Sequence, residues 1–167
     1  MTDPVESVHR LLRAAGQTVA TAESLTGGRL AAALTGTAGA SDVYLGGVVT
    51  YATELKASLL GVSERIIEEH GVVSSECAQA MAVGVRALTG ATYGVSTTGV
   101  AGPSEQEGKP PGTVFVGLVG PDGASTVLSL ELVGRRAEVR DRTCREALSA
   151  LGAMITGNIT GNNGALG

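Results

Sequence analysis

TAESLTGG, residues 21–28, joins two stretches of opposite character. Gln17-Thr18-Val19-Ala20 before it is short and β-prone, and reads as a strand over 17–21. Arg29-Leu30-Ala31-Ala32-Ala33-Leu34 after it is made of good helix formers, and reads as part of a helix over 26–35. A strand that turns straight into a helix is the opening unit of an α/β sheet. The turn holds Glu23, Ser24, Thr26 and the pair Gly27-Gly28. Those are more polar groups than a mere connection needs.

Outward from this turn the same alternation continues. Residues 4–15 read as a helix with Val5, Val8, Leu11, Leu12 and Ala15 on one face, stopped by Gly16. GTAGAS, 36–41, is a small-residue loop, and 43–51 is a strand whose Gly46-Gly47 marks a bulge. A helix follows at 53–60, and a shorter one runs from the cap Ser63 to Gly71. Ser74 or Ser75 caps the next helix, on which Ala78, Met81, Val85 and Leu88 form one buried stripe. Residues 91–97 read as a strand leading into TGVAGP (98–103), and SEQEGKPP (104–111) is a polar loop. The runs 113–119 and 125–133 flank Gly120-Pro121-Asp122-Gly123 and form a hairpin, and a last helix spans 136–155.

Alternating elements early and a hairpin late predict a three-layer α/β/α sandwich on a mixed, mostly parallel sheet with at least one antiparallel strand. One domain over 1–157 is expected, followed by a flexible Gly/Asn-rich tail at 158–167. In open α/β sheets ligands sit beyond the carboxyl ends of the strands. TAESLTGG, the Tyr51 end of the second strand and TTGVAGP all fall at such ends, so they are expected to share one crevice.

Composition narrows the function classes. A net charge of −4 gives no footprint for nucleic acid. No apolar run is long enough for a membrane helix, and MTDPVESVHR has no signal-peptide pattern. Cys77 and Cys144 lie in predicted helices without CxxC spacing, which points to buried free thiols and a reducing cytoplasm. Aromatics are only 2% of the chain, so the core is built from Ala, Val, Leu and Ile, and a homo-oligomer, dimer or larger, is expected.

Chemistry without histidine or metal remains. His9 and His70 stand in no triad pattern, and no His/Cys cluster suggests a metal. The chain holds ten arginines but only two lysines, Lys56 and Lys109. Lysine, unlike arginine, can lose its proton when desolvated and act as a base. Lys56 opens a helix after a strand end, whereas Lys109 reads as a solvated loop lysine. A serine partner for Lys56 could be Ser24 or Ser41, each in a glycine-bearing turn. Arg136 and Arg140, four apart on the last helix, project from one face and could clamp a phosphate or carboxylate.

Five motifs then fall in order: TAESLTGG, GAS with GGVVTYATELK, HGVVS, TTGVAGP with PPGTV, and GRRAEVR. Together they resemble the CinA C-terminal domain family, the nicotinamide-nucleotide amidases, over roughly residues 5–155 and in its stand-alone form. The resemblance implies deamidation of nicotinamide mononucleotide to nicotinate mononucleotide and ammonia, with no cofactor. It implies Ser41 as nucleophile, Lys56 as its partner and Tyr51 between them to relay or orient the proton. It implies a nucleotide site formed by Glu23, Ser24, Thr26, Gly27, Gly28, Thr98 and Gly99, with Arg136 and Arg140 as contacts to phosphate or to pocket carboxylates. Two departures stand out: Leu25 where the family usually has Cys, and Ser104-Glu105-Gln106-Glu107 where it usually has glycines. A nucleotide-binding or regulatory module without turnover, and an amidase for a related pyridine amide, are the alternatives.

Overall fold

The structure, a computed structural model, describes residues 2–158. In chain order the elements are α1 (Pro4–Ala15), β1 (Val19–Glu23), α2 (Arg29–Thr35), β2 (Tyr44–Val49), α3 (Thr53–Leu60), α4 (Glu64–His70), α5 (Ser75–Thr89), β3 (Tyr93–Gly99), β4 (Thr113–Val119), β5 (Ser125–Glu131) and α6 (Arg136–Ile155). A 3-10 turn at Ala40–Asp42 precedes β2, and another at Pro121–Gly123 joins β4 to β5.

The five strands form one sheet in the order β2-β1-β3-β4-β5. β1 pairs in parallel with β2 and β3, and β3-β4-β5 is antiparallel. All of β1 is buried, as expected of a parallel strand covered on both faces. β2 is an edge strand and alternates between half-buried and exposed. Its register slips between Tyr44, opposite Val19, and Gly46, opposite Ala20, so Leu45 is the extra residue of a bulge. Gly46 carries it at φ 153°.

Two cores lie on either side of the sheet. On one face α1, α2 and α6 enclose Val8, Leu12, Leu30, Leu34, Leu148 and Leu151. On the other, α5 with α3 and α4 buries Leu60, Val72, Cys77, Met81 and Val85. α5 lies close against the sheet because Gly117 of β4 has no side chain. A Cβ there would stand 2.3 Å from the Ala78 carbonyl oxygen of the helix.

Three differences from the sequence expectation affect the site or the core. β1 runs from Val19 to Glu23, two residues later than expected, which puts Glu23 inside the strand. α2 starts at Arg29 rather than 26, because residues 24–28 are spent on a turn. Leu88 is 55% exposed, not part of the α5 stripe. The buried line of α5 runs through Cys77, Ala78, Met81, Ala82 and Val85, and its last turn rotates Leu88 outward. The expected tail at 158–167 lies, Asn158 apart, outside the described residues.

Candidate active site

The carboxyl ends of β1, β2 and β3 deliver three turns to one cavity of about 400 Å³. Ser24 comes from the first, Tyr51 and Lys56 from the second, and Thr98 to Gly102 from the third.

Lys56 lines this cavity and is 1% exposed. It sits in the second turn of α3, and helical side chains lean back toward the N-terminus of their helix. Its amine therefore reaches back to the end of β2. Nζ lies 2.6 Å from the Thr50 carbonyl oxygen, 3.4 Å from that of Tyr51 and 3.1 Å from Ser24 Oγ. Burial pulls the Lys56 pKa below its ordinary value of 10.5, while Cys77, Glu107 and Glu54 pull the other way. An ammonium would donate to all three oxygens. A neutral amine keeps two N–H bonds for the two carbonyls, and its lone pair then faces the Ser24 hydroxyl.

The Ser24 turn is held from inside by Glu23, which is 1% exposed. One carboxylate oxygen accepts from Thr26 Oγ1 at 2.6 Å, Gly28 N at 3.2 Å and Leu30 N at 2.8 Å; the other accepts from Ala31 N at 3.0 Å. Glu23 thus caps the N-terminus of α2 and complements its dipole. Thr26 Oγ1 also bonds Thr97 Oγ1 at 2.8 Å, and Ser24 N donates to the Thr97 carbonyl at 3.0 Å. Among the described residues, the backbone N–H groups of Leu25 and Thr26 donate to no protein acceptor.

Several expected site residues stand elsewhere. Ser41 is exposed on the 3-10 turn before β2, whereas Lys56 follows the far end of that strand. The six residues of β2 keep the two about 20 Å apart within the chain. The structure therefore pairs Lys56 with Ser24, not Ser41. The Tyr51 hydroxyl accepts from Arg136 Nη2 at 3.1 Å, and only the Tyr51 backbone reaches Lys56. It does not lie between serine and lysine. Glu23 and Thr26 face the protein interior, the Gly27 N–H donates to the Ser24 carbonyl and the Gly28 N–H to Glu23, so this turn's side of the site is offered by Ser24 and Leu25. Arg140 packs behind the turn, donating to the carbonyls of Leu25 at 2.7 Å and Thr26 at 3.3 Å. It is a brace for the turn, not a lining residue of the cavity. Gly27 keeps room for it, since a Cβ there would lie 2.8 Å from Arg140 Nη2. Arg136 does line the cavity and also donates to the Gly102 carbonyl at 2.7 Å. Thr98 and Gly99 line it too, with the Thr98 hydroxyl donated to the Val72 carbonyl at 2.7 Å.

One wall of the cavity is not legible in the sequence. Val72 and Val73 line the cavity, as do Thr53 and Ser104 to Gln106. In the sequence HGVVS is a motif with no evident role. Lys109 is half-buried rather than solvated, and its amine donates to the Val73 carbonyl. Among the described residues no three His, Cys, Asp or Glu side chains gather as a metal site, and no helix is long and apolar enough to cross a membrane.

A sandwich of this topology has counterparts among known proteins. The CinA C-terminal domain profile matches residues 1–155. A CinA-like protein of Frankia casuarinae is 53% identical over 140 residues, 84% of this chain and 32% of that protein. A protein of Halalkalibacterium halodurans, named for competence-damage induction, is 44% identical over 154 residues, 90% of this chain and 37% of that protein. The chain thus spans about a third of the length of these curated relatives. Among solved structures, a CinA-superfamily protein of Klebsiella pneumoniae superposes with a TM-score of 0.89 at 35% identity, over 92% of this chain and 96% of that one. The competence/damage-inducible protein of Agrobacterium tumefaciens gives 0.86 at 35% identity, with the same coverage. The chain belongs to the CinA C-terminal domain family.

Proposed function

We propose that the protein is an amidohydrolase that converts nicotinamide mononucleotide to nicotinate mononucleotide and ammonia, with Ser24 as nucleophile and Lys56 as its base. The observation that carries the proposal is the 3.1 Å approach of the buried Lys56 amine to the Ser24 hydroxyl inside a ligand-sized cavity. Buried lysines are costly unless they are used or compensated, and this one is held by two backbone carbonyls in the orientation that a base for Ser24 requires.

The steps are those of a serine acyl transfer without histidine. Ser24 Oγ attacks the carboxamide carbon as its proton passes to Lys56 Nζ. The unpartnered N–H of Leu25, a residue of the cavity wall, is the candidate donor to the resulting oxyanion. Collapse of the tetrahedral adduct breaks the C–N bond. Lys56 returns the proton to the departing nitrogen, which leaves as ammonia. Water then attacks the acyl-enzyme, giving one proton to Lys56, and the adduct collapses to the carboxylic acid as Lys56 returns that proton to Ser24; the acid loses its remaining proton to solvent. At the mouth, Arg136 has N–H groups left after its bonds to Gly102 and Tyr51, and offers them to the substrate phosphate.

The test is to incubate the protein with the mononucleotide and measure ammonia and the deamidated product together. Equal amounts of both, with an acyl adduct trapped on the Ser24 peptide by acid quench and mass spectrometry, support the reading. Calorimetric binding of the mononucleotide with no ammonia formed would instead identify a binding module. Turnover confined to other pyridine amides would shift the substrate.

A further inference from the structure

The hairpin that departs from the family pattern has a specific attachment. Gly102 to Gln106 form one wall of the cavity. Gln106 and Lys109 then pair through two backbone hydrogen bonds, of 3.1 and 2.9 Å. Glu107 and Gly108 are left at the tip with φ of 53° and 72°. Two successive positive φ values favour Gly, Asn or Asp, and glutamate is an uncommon occupant. Its side chain supplies the reason. The Glu107 carboxylate accepts from Val72 N at 3.0 Å and from Val73 N at 2.8 Å. Lys109 closes the same joint through the Val73 carbonyl. Gly71 leaves the space, since a Cβ there would stand 2.5 Å from a Glu107 oxygen. Val72 and Val73 are themselves cavity wall, while Glu107 is not.

We propose that Glu107 is a positioning residue that clamps the 102–111 hairpin onto Val72-Val73, and so sets the width of the cavity above Ser24 and Lys56. The proposal rests on the Ser24–Lys56 reading of the site. It also places a carboxylate where the lysine feels it. The groups acting on Lys56 are Cys77 from α5, Glu107 from the hairpin and Glu54 from its own helix, with Glu105 and Arg136 lining the same cavity. Burial pushes the Cys77 thiol up to about 11, so at neutral pH it is uncharged and Glu107 and Glu54 hold the amine's pKa up.

Two variants separate clamp from charge. E107Q keeps the reach but loses the charge, and its amide cannot accept from both N–H groups. E107D keeps the charge but is one methylene too short. Amide hydrogen exchange reports the clamp without any substrate. NMR titration of isotope-labelled lysine reports the amine, and with only two lysines in the chain the spectrum is simple. In both variants exchange at Val72 and Val73 should quicken about tenfold or more. The Lys56 midpoint should fall in E107Q and stay near that of the unmodified protein in E107D. With nicotinamide mononucleotide as substrate, KM should rise about tenfold in both variants, with kcat above the Lys56 midpoint nearly unchanged. Unaltered protection of both amides in the two variants would overturn the proposal. Because these readouts need no turnover, absence of ammonia from the unmodified protein would remove the functional reading and still leave the clamp decided.

Discussion

At the scale of single residues, burial decides what each ionisable group can do. Lys56 has a lowered pKa because its amine is desolvated, and a base must be unprotonated to accept the Ser24 proton. Activity should therefore rise with pH along a one-proton limb, as the amine loses its proton, with a midpoint below 10.5. A kcat/KM profile with no limb in the range where the protein stays folded would contradict this assignment. The same physics silences the thiols. Burial pushes Cys77 up to about 11 and Cys144 up to about 12. Both should resist a thiol-specific disulfide reagent in the native protein at pH 8 and react on unfolding. Prompt modification of either in the folded state would show the burial to be wrong.

At the scale of elements, the joints between strands and helices carry the site. Glu23 ends β1 and caps α2, so the Ser24 turn is fixed from both sides. Glu23→Gln keeps one acceptor oxygen but turns an N–H toward the amide of Ala31. The cost should be about 1–3 kcal/mol in chemical denaturation, as for other groups left unsatisfied when buried. A variant as stable as the parent would show the cap to be dispensable. Gly117 tests the opposite layer. Gly117→Ala forces a methyl against the Ala78 carbonyl and should destabilise by about 1–3 kcal/mol through displacement of α5. These joints were only partly legible in the sequence. The alternation of periods revealed the layers, and Gly120-Pro121-Asp122-Gly123 marked the hairpin. The direction of a side chain in a turn was not legible: Glu23 reads as a ligand until β1 is extended to include it, which turns it into the core. Lys109 was hidden because its partner is a backbone carbonyl far away in sequence.

At the scale of the whole molecule, the parallel part of the sheet decides which residues meet. Residues that precede a strand lie at one end of the sheet, and residues that follow it lie at the other. Ser41 precedes β2 and Lys56 follows it, whereas Ser24 follows β1 and shares the end with Lys56. That inference needs only the strand directions, so the crevice was legible from sequence. The serine partner is harder to read, because Ser24 and Ser41 both stand in glycine-bearing turns and differ only in which end of the sheet they occupy. Arg140 was misplaced for a related reason: spacing puts it on the same face as Arg136, but α6 crosses the Ser24 turn one helical turn further on, and there Arg140 braces backbone. The most direct test of the account is ammonia release from nicotinamide mononucleotide by Ser24→Ala and Ser41→Ala, measured beside the parent protein. Ser24→Ala should lose about three orders of magnitude or more in kcat, as expected when a nucleophile is removed, and Ser41→Ala should stay within about twofold of the parent. Full activity in Ser24→Ala, with loss in Ser41→Ala, would contradict the assignment.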